Sequence, residues 1–145
     1  MDWRRTILAG LLYFALVFAM GFALGTARVL VMVPALGERL AVLLETPVMV
    51  AGCVAGALIA ARFAGLARRG PWPERAAMGL LGVGLLLILE LTLVRWLRGL
   101  TLQEALLGGD WVASVAYRTT LVLMAAIPVL VGSGHPRAAE ARPIV

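Results

Sequence analysis

The chain has no lysine, one cysteine, one histidine and few charges of either sign: 14% of its 145 residues are charged and 62% are apolar. A single cysteine cannot form an intramolecular disulfide. One cysteine and one histidine cannot supply a Cys/His zinc site or bis-histidine haem ligation. A soluble domain of this length carries roughly a quarter charged residues, because its core needs a polar shell. The composition therefore excludes an ordinary water-soluble domain.

Four apolar segments are long enough to cross a bilayer, whose hydrocarbon core of roughly 30 Å takes about 20 helical residues. The predicted spans are about 6–33, 38–63, 75–97 and 110–131. Since short loops join them, consecutive helices are expected to be antiparallel neighbours in one bundle. We predict an all-α, polytopic, antiparallel bundle of four transmembrane helices, with residues 1–132 forming a single transmembrane domain.

The arginines predict the orientation of this bundle, because positively charged loops face the cytoplasm. Eight arginines fall on the side of the termini and four fall at the opposite ends of the spans. The first group is Arg4, Arg5, Arg62, Arg68, Arg69, Arg75, Arg137 and Arg142; the second is Arg28, Arg39, Arg95 and Arg98. Both termini are therefore predicted to be cytoplasmic, and the basic loop between spans two and three is interpreted as topogenic. The first apolar run is too long for a cleaved signal peptide and lacks an A-x-A site, so we expect an uncleaved helix.

Short sequence motifs predict the structure of the segments that join and follow the spans. Residues 34–37 (PALG) are expected to break the first helix, and residues 70–73 (GPWP) to form a rigid turn. Thr101 and Glu104 match a capping box, which predicts a short interfacial helix at 102–107. The polar segment 133–145 is expected to be a flexible cytoplasmic tail.

Ionisable side chains inside spans are costly, at roughly 2.5–3.5 kcal/mol each at a helix centre, so they require a partner or water. Four of them lie at a similar predicted depth, roughly 7–12 Å inside the non-cytoplasmic boundary. They carry no formal net charge together, and the simplest pairing is Arg28 with Glu45 and Glu90 with Arg118. Hydroxyl groups nearby are available for the remaining hydrogen bonds. The candidate buried polar site comprises Arg28, Glu45, Thr46, Glu90, Tyr117 and Arg118.

Two G-x-x-x-G pairs, the pattern that lets membrane helices approach closely, predict how the first two spans pack. They are Gly21 with Gly25 and Gly52 with Gly56. Helical spacing puts each pair on the same stripe as a predicted buried charge, so their contact would join Arg28 to Glu45. In the second hairpin the predicted facing stripes are Gly79, Gly82, Leu86 and Glu90 on one helix and Trp111, Ser114, Arg118 and Ala125 on the other.

Pro47 leaves two registers open for the second span. In the first, Pro47 lies inside a helix that starts near Glu38 and frees the carbonyl of Leu43 beside Glu45. In the second, Pro47 is a first-turn residue of a span beginning near Thr46, with residues 38–45 in an interfacial helix. The first register is preferred because it pairs the buried charges.

No Cys/His pair, Ser/His/Asp set or G-x-S-x-G motif is present, so we expect no enzymatic activity, metal or cofactor. His135 falls in the predicted tail, and Cys53 is interpreted as a small core residue. The favoured interpretation of the charge layer is structural, since ion pairs would fix which helices meet. One alternative is a polar cavity that binds a lipid, a quinone or an anion, or relays protons; Arg28 and Arg118 would then hold the anionic or carbonyl group.

Another alternative is an accessory subunit or assembly factor of a larger membrane complex. The expected surroundings are the lipid bilayer, with a homo-oligomer or a membrane-protein partner as further options, and no nucleic acid.

Two stretches that cover most of the chain resemble uncharacterised small four-span inner-membrane proteins of bacteria. They are GFALGTARVLVMVPALGERLAVLLETPVM and WLRGLTLQEALLGGDWVASVAYRTTLVLMAAIPVLV. The resemblance implies a multi-pass protein of the bacterial inner (plasma) membrane and implies no substrate.

Overall fold

The structure, a computed structural model, describes residues 2–66, 72–98 and 111–132, and all regular secondary structure in these ranges is helical. The main helices are α1 (Trp3–Ala27), α2 (Glu38–Phe63), α3 (Trp72–Arg98) and α4 (Trp111–Gly132). Four helical segments in these ranges are long and apolar enough to cross a membrane. The predicted all-helical class with four such helices is confirmed.

The observed helix bounds differ from the predicted ones by a few residues. Helix α2 has the predicted bounds, α3 begins three residues earlier at Trp72, and α4 begins one residue later at Trp111. The GPWP turn, predicted at residues 70–73, overlaps the start of α3, whose first residues are Trp72 and Pro73. The predicted interfacial helix at 102–107 and the predicted tail at 133–145 lie outside the described residues.

The first helix does not break at Pro34. After α1 the chain forms a π-helical turn, Arg28–Met32, and then a short α-helical segment, Val33–Leu36, so the rod continues to Leu36. In this turn the N–H of Val33 donates to the carbonyl of Arg28, five residues earlier. Proline has no N–H, and its ring crowds the carbonyl four residues before it, so the wider turn accommodates Pro34. The predicted break at 34–37 is therefore wrong for all but Gly37, whose φ of 81° reverses the chain.

The four helices pack in a ring whose order differs from the chain order. Helix α1 packs along α2 and α3, and α4 packs along α2 and α3. Within the described ranges, α2 and α3 lie across the bundle from each other, so the prediction that all consecutive helices are neighbours is wrong for this pair. The eight residues from 64 to 71 that join them can span roughly 26 Å. Neighbouring helix axes lie about 8–10 Å apart, so this linker is long enough to cross the diagonal.

Three of the four G-x-x-x-G glycines lie at the α1–α2 interface, where they make room for large side chains, whereas Gly25, also predicted to pack there, has no neighbour within 4 Å of a Cβ. Gly52 packs under the side chain of Met20, Gly21 lies under Met49, and Gly56 contacts the ring of Tyr13. A close approach of two backbones occurs elsewhere, between α3 and α4. A methyl group on Gly79 would collide with the carbonyl oxygen of Ala125.

Tyr13 lies at the centre of the bundle and touches the other three main helices. Its side chain is fully buried, and its ring lies against Gly56 of α2 and Gly82 of α3. Its hydroxyl donates a hydrogen bond of 2.9 Å to the carbonyl oxygen of Met124 in α4. That carbonyl has no donor within its own helix, because the residue four positions later is Pro128. The proline in α4 thus creates the acceptor that anchors α1.

We expect Tyr13→Phe to lower the free energy of unfolding by about 1–3 kcal/mol, because the Met124 carbonyl would be left buried without a donor. In a Pro128→Ala background residue 128 regains its N–H, so the same substitution should have a much smaller effect. Titration with SDS, followed by circular dichroism, measures both differences. Equal losses in the two backgrounds would contradict the assignment.

We expect Gly79→Ala to destabilise the bundle by about 1–3 kcal/mol, since α3 and α4 must separate to admit the methyl group. Gly84→Ala, on the same helix, is the matched control, because a Cβ there meets nothing within 4 Å. The control should be neutral or slightly stabilising. A loss as large for Gly84→Ala as for Gly79→Ala in the same SDS titration would refute the predicted contact.

Candidate ligand cavity

A cavity of about 740 Å³ lies between the helices, toward the C-terminal end of α1. This volume falls within the range of about 300–1,000 Å³ that is typical of ligand pockets. All four main helices contribute to its walls, which are predominantly apolar with a few polar groups. The polar lining side chains are Thr26, Arg28, Glu45, Thr46, Glu90, Tyr117 and Thr120.

The predicted pair of Arg28 and Glu45 is present in the wall of this cavity. The Nε atom of Arg28 lies 3.3 Å from Oε2 of Glu45, and both side chains are partly buried, at 32% and 17% exposure. Arg28 is the first residue of the π-helical turn that precedes Pro34. The ion pair therefore joins the end of α1 to α2 at the point where the first helix widens.

Helix α2 continues through Pro47, as the preferred register predicted, since it begins at Glu38. The hydroxyl of Thr46 donates to the carbonyl of Val42 at 2.8 Å. Thr26 and Thr92 make the same bond to the carbonyl one turn earlier on their own helices. These three hydroxyls thus donate to backbone carbonyls of their own helices. Thr46, which we predicted to lie with the charged side chains, donates to none of them.

Glu90 is bonded to Tyr117, and not to the arginine we predicted. The Tyr117 hydroxyl donates to Oε2 of Glu90 across the α3–α4 interface. Arg118 is exposed and does not line the cavity. Successive helical positions differ by about 100° in direction, so the position next to Tyr117 faces another way.

The side of α4 that faces the other helices is not the predicted one, because the helix is rotated about its own axis relative to the prediction. The residues of α4 that line the cavity include the small side chains Ala113 and Ala116 together with Tyr117 and Met124. Trp111, predicted to face inward, is 69% exposed. The predicted stripe of α3 agrees better with the structure, since Leu86 and Glu90 line the cavity.

The rotation of α4 changes the charge balance of the site. Among the described residues that line the cavity, the charged ones are Arg28, Glu45 and Glu90. Because Arg118 lies outside the lining, the described part of the lining has two carboxylates and one cation in place of the predicted neutral layer. The arginine in the lining is already engaged by Glu45.

The cavity ends at the central tyrosine contact. Val17 and Met124 line it, and Met124 is the residue whose carbonyl accepts the Tyr13 hydroxyl. Phe18, Phe22 and Leu121 continue the apolar wall above them. A ligand in this space would meet polar side chains at one end and hydrocarbon at the other.

Sequence reasoning missed a second polar cluster at the opposite end of the bundle. Arg75, placed with the topogenic arginines, is only 4% exposed, and its Nη1 donates to the carbonyl of Pro128 at 3.1 Å. The backbone N–H of Asp2 donates to Oε1 of Glu74 at 3.1 Å. Gly132 packs against the Arg75 side chain and leaves no room for a Cβ atom. Gly132 is the one feature of the sequence that indicates a close contact here, but without the fold it does not show that the contact is with Arg75.

Other chemistry-bearing residues form no further site in the part of the chain that is described. No three His, Cys, Asp or Glu side chains there lie close enough together to hold a metal ion. Cys53 is buried in the core. His135 lies outside the described residues.

Comparisons of the chain with protein-family models, with curated proteins and with solved structures find no match.

We expect Arg28 and Glu45 to be energetically coupled by about 1–3 kcal/mol, because removing one partner leaves the other charge uncompensated in an apolar wall. Arg28→Leu and Glu45→Leu should each destabilise the bundle more than the double variant does. The exposed pair of Asp2 and Arg5, at 3.1 Å, is the control and should show a coupling below about 1 kcal/mol. Additive effects for Arg28 and Glu45 in a double-mutant cycle would rule out a functional ion pair.

Proposed function

We propose that the chain is a multi-pass integral membrane protein that binds an amphipathic small molecule in the cavity between its helices. The observation that carries the proposal is the cavity of about 740 Å³, in which polar side chains lie at one end and apolar walls at the other. This combination suits a molecule with a polar group and a hydrocarbon body. We assign the chain a binding role, with no reaction and no nucleic-acid partner.

The outer surface supports a membrane location. Large apolar side chains point away from the bundle and remain exposed, for example Leu80, Ile88 and Val122, at 65–68%. Such a surface is stable in hydrocarbon and would promote aggregation in water. The lipid bilayer is therefore the surrounding that we propose for this surface.

The four tryptophans support the same conclusion, because they are exposed near the ends of the main helices. Trp3 and Trp72 begin α1 and α3, Trp96 lies near the end of α3, and Trp111 begins α4. Tryptophan favours the interfaces between lipid and water. Along α3 the two tryptophans are separated by roughly 36 Å, about the thickness of the hydrocarbon core with part of each interface.

The order of contacts supports antiparallel packing of α1 and α2, and the contacts at the start of α3 support a location of both termini on one side of the bundle. Along α1, Tyr13 meets Gly56, Gly21 meets Met49, and the residue that follows the helix, Arg28, meets Glu45. The partner on α2 thus moves backward as the position on α1 moves forward. The excess of arginine on the side of the termini supports a cytoplasmic location for both. We propose the bacterial inner membrane on the resemblance described above.

A binding role accounts for the charged residues better than a purely structural one does. In a purely structural arrangement, the four charged side chains would pair with one another between packed helices. Here the Arg28–Glu45 pair does connect α1 and α2, but it does so on the wall of an open space. Glu90 and Tyr117 form another part of that wall.

Filling the cavity should remove any molecule that the protein retains on purification. Gly25 lines the cavity and a Cβ there meets nothing within 4 Å, so Gly25→Leu adds bulk to the space without a clash. Native mass spectrometry should show a bound small molecule on the unmodified protein and at least about tenfold less on the variant, a loss of roughly 1.4 kcal/mol.

The matched control is Gly84→Leu, a helical glycine that also has open space around it and does not line the cavity. This variant should keep the bound molecule. Equal retention by both variants would place the molecule elsewhere, and an unmodified protein that carries no small molecule under any mild extraction would count against the proposal.

A further inference from the structure

We infer that the cavity selects an amphipathic organic cation, whose charged group binds at the carboxylate of Glu90 beside Tyr117. This inference rests on the proposed binding function and adds to it the sign of the ligand's charge. It departs from the sequence-based alternative, in which Arg28 and Arg118 hold an anionic or carbonyl group.

Charge complementarity is the first argument. Arg28 already pairs with Glu45 at 3.3 Å, whereas Glu90 accepts its hydrogen bond from a neutral hydroxyl, that of Tyr117. Among the described residues of the lining, carboxylates outnumber cations. A charge in apolar surroundings is strongly stabilised by a counter-ion, so a cationic ligand completes the site.

The same geometry disfavours an anion. To bind Arg28, an anionic group would have to displace the carboxylate of Glu45 from its partner. The displaced carboxylate and that of Glu90 would then share the cavity with the incoming negative charge. Like charges in a medium of low dielectric constant repel strongly, so this arrangement is unfavourable.

The lining also indicates that the cation is organic. Phe18, Phe22 and Tyr117 offer aromatic rings to the cavity, and aromatic rings bind ammonium-like cations through their π faces. Val17 and Met124 supply hydrocarbon contacts at the inner end. A divalent metal ion needs about six oxygen ligands, and the described lining offers no such cluster.

The test uses two probe ions of the same shape and opposite charge, tetraphenylphosphonium and tetraphenylborate. The protein is placed in lipid nanodiscs, binding is measured by equilibrium dialysis of the radiolabelled ions, and binding to empty nanodiscs is subtracted. We expect saturable binding of the phosphonium ion, at least about tenfold tighter than that of the borate ion.

Variants assign the selectivity to one carboxylate. Glu90→Gln should weaken phosphonium binding at least about tenfold, whereas Glu90→Asp, which keeps the charge, should restore most of it. Glu38→Gln is the control, because Glu38 is exposed in the first turn of α2 and does not line the cavity. Circular dichroism and gel filtration establish that each variant is folded.

The outcomes separate this inference from the proposed function. Equal binding of the two ions, or phosphonium binding that Glu90→Gln leaves unchanged, overturns the cation inference and leaves a binding cavity in place. A retained native molecule that is anionic does the same. If neither ion binds saturably and no native molecule is retained, the proposed function fails as well.

Discussion

A single hydrogen bond, from the hydroxyl of Tyr13 to the carbonyl of Met124, connects the first main helix to the last. The donor side chain is fully buried and also packs on Gly56 and Gly82, so it touches the other three main helices. The acceptor exists because Pro128 removes the backbone donor that would otherwise occupy it. In surroundings without water, a freed carbonyl must find a partner within the protein. That requirement places α1 in the bundle and sets the inner end of the cavity.

A second proline, Pro34, lies near the other end of the cavity and likewise lacks a backbone N–H. The π-helical turn Arg28–Met32 precedes Pro34 and accommodates the ring and the missing N–H of this proline. The turn starts at the arginine that pairs with Glu45. Pro34 and Pro128 each remove one backbone N–H from a helix. A polar contact lies near each of them: the Arg28–Glu45 pair near Pro34, and the bond between Tyr13 and Met124 near Pro128. The cavity lies between these two contacts, with Glu90 and Tyr117 on its far wall.

Composition and periodicity predicted the helices, the inward side of α3 and the Arg28–Glu45 pair, because span length and turn position constrain them strongly. They did not predict the rotation of α4, because its predicted inward stripe was chosen to include Arg118, whose side chain is exposed. The burial of Arg75 and the central place of Tyr13 also escaped prediction, since both depend on which helices become neighbours. The acceptor at Met124 could have been predicted from the sequence. A proline inside a helix frees the carbonyl four residues earlier, so Pro128 frees that of Met124, as Pro47 frees that of Leu43.

We propose that the space between the Arg28–Glu45 pair and the Glu90–Tyr117 pair is a ligand site. A structure of the protein in lipid nanodiscs, at a resolution that separates side chains from lipid, would show whether a molecule occupies this space. We expect ordered density of a small amphipathic molecule that extends from the two pairs to the contact between Tyr13 and α4. Helices closed against one another, with the four polar side chains in mutual contact and no density between them, would contradict the proposal.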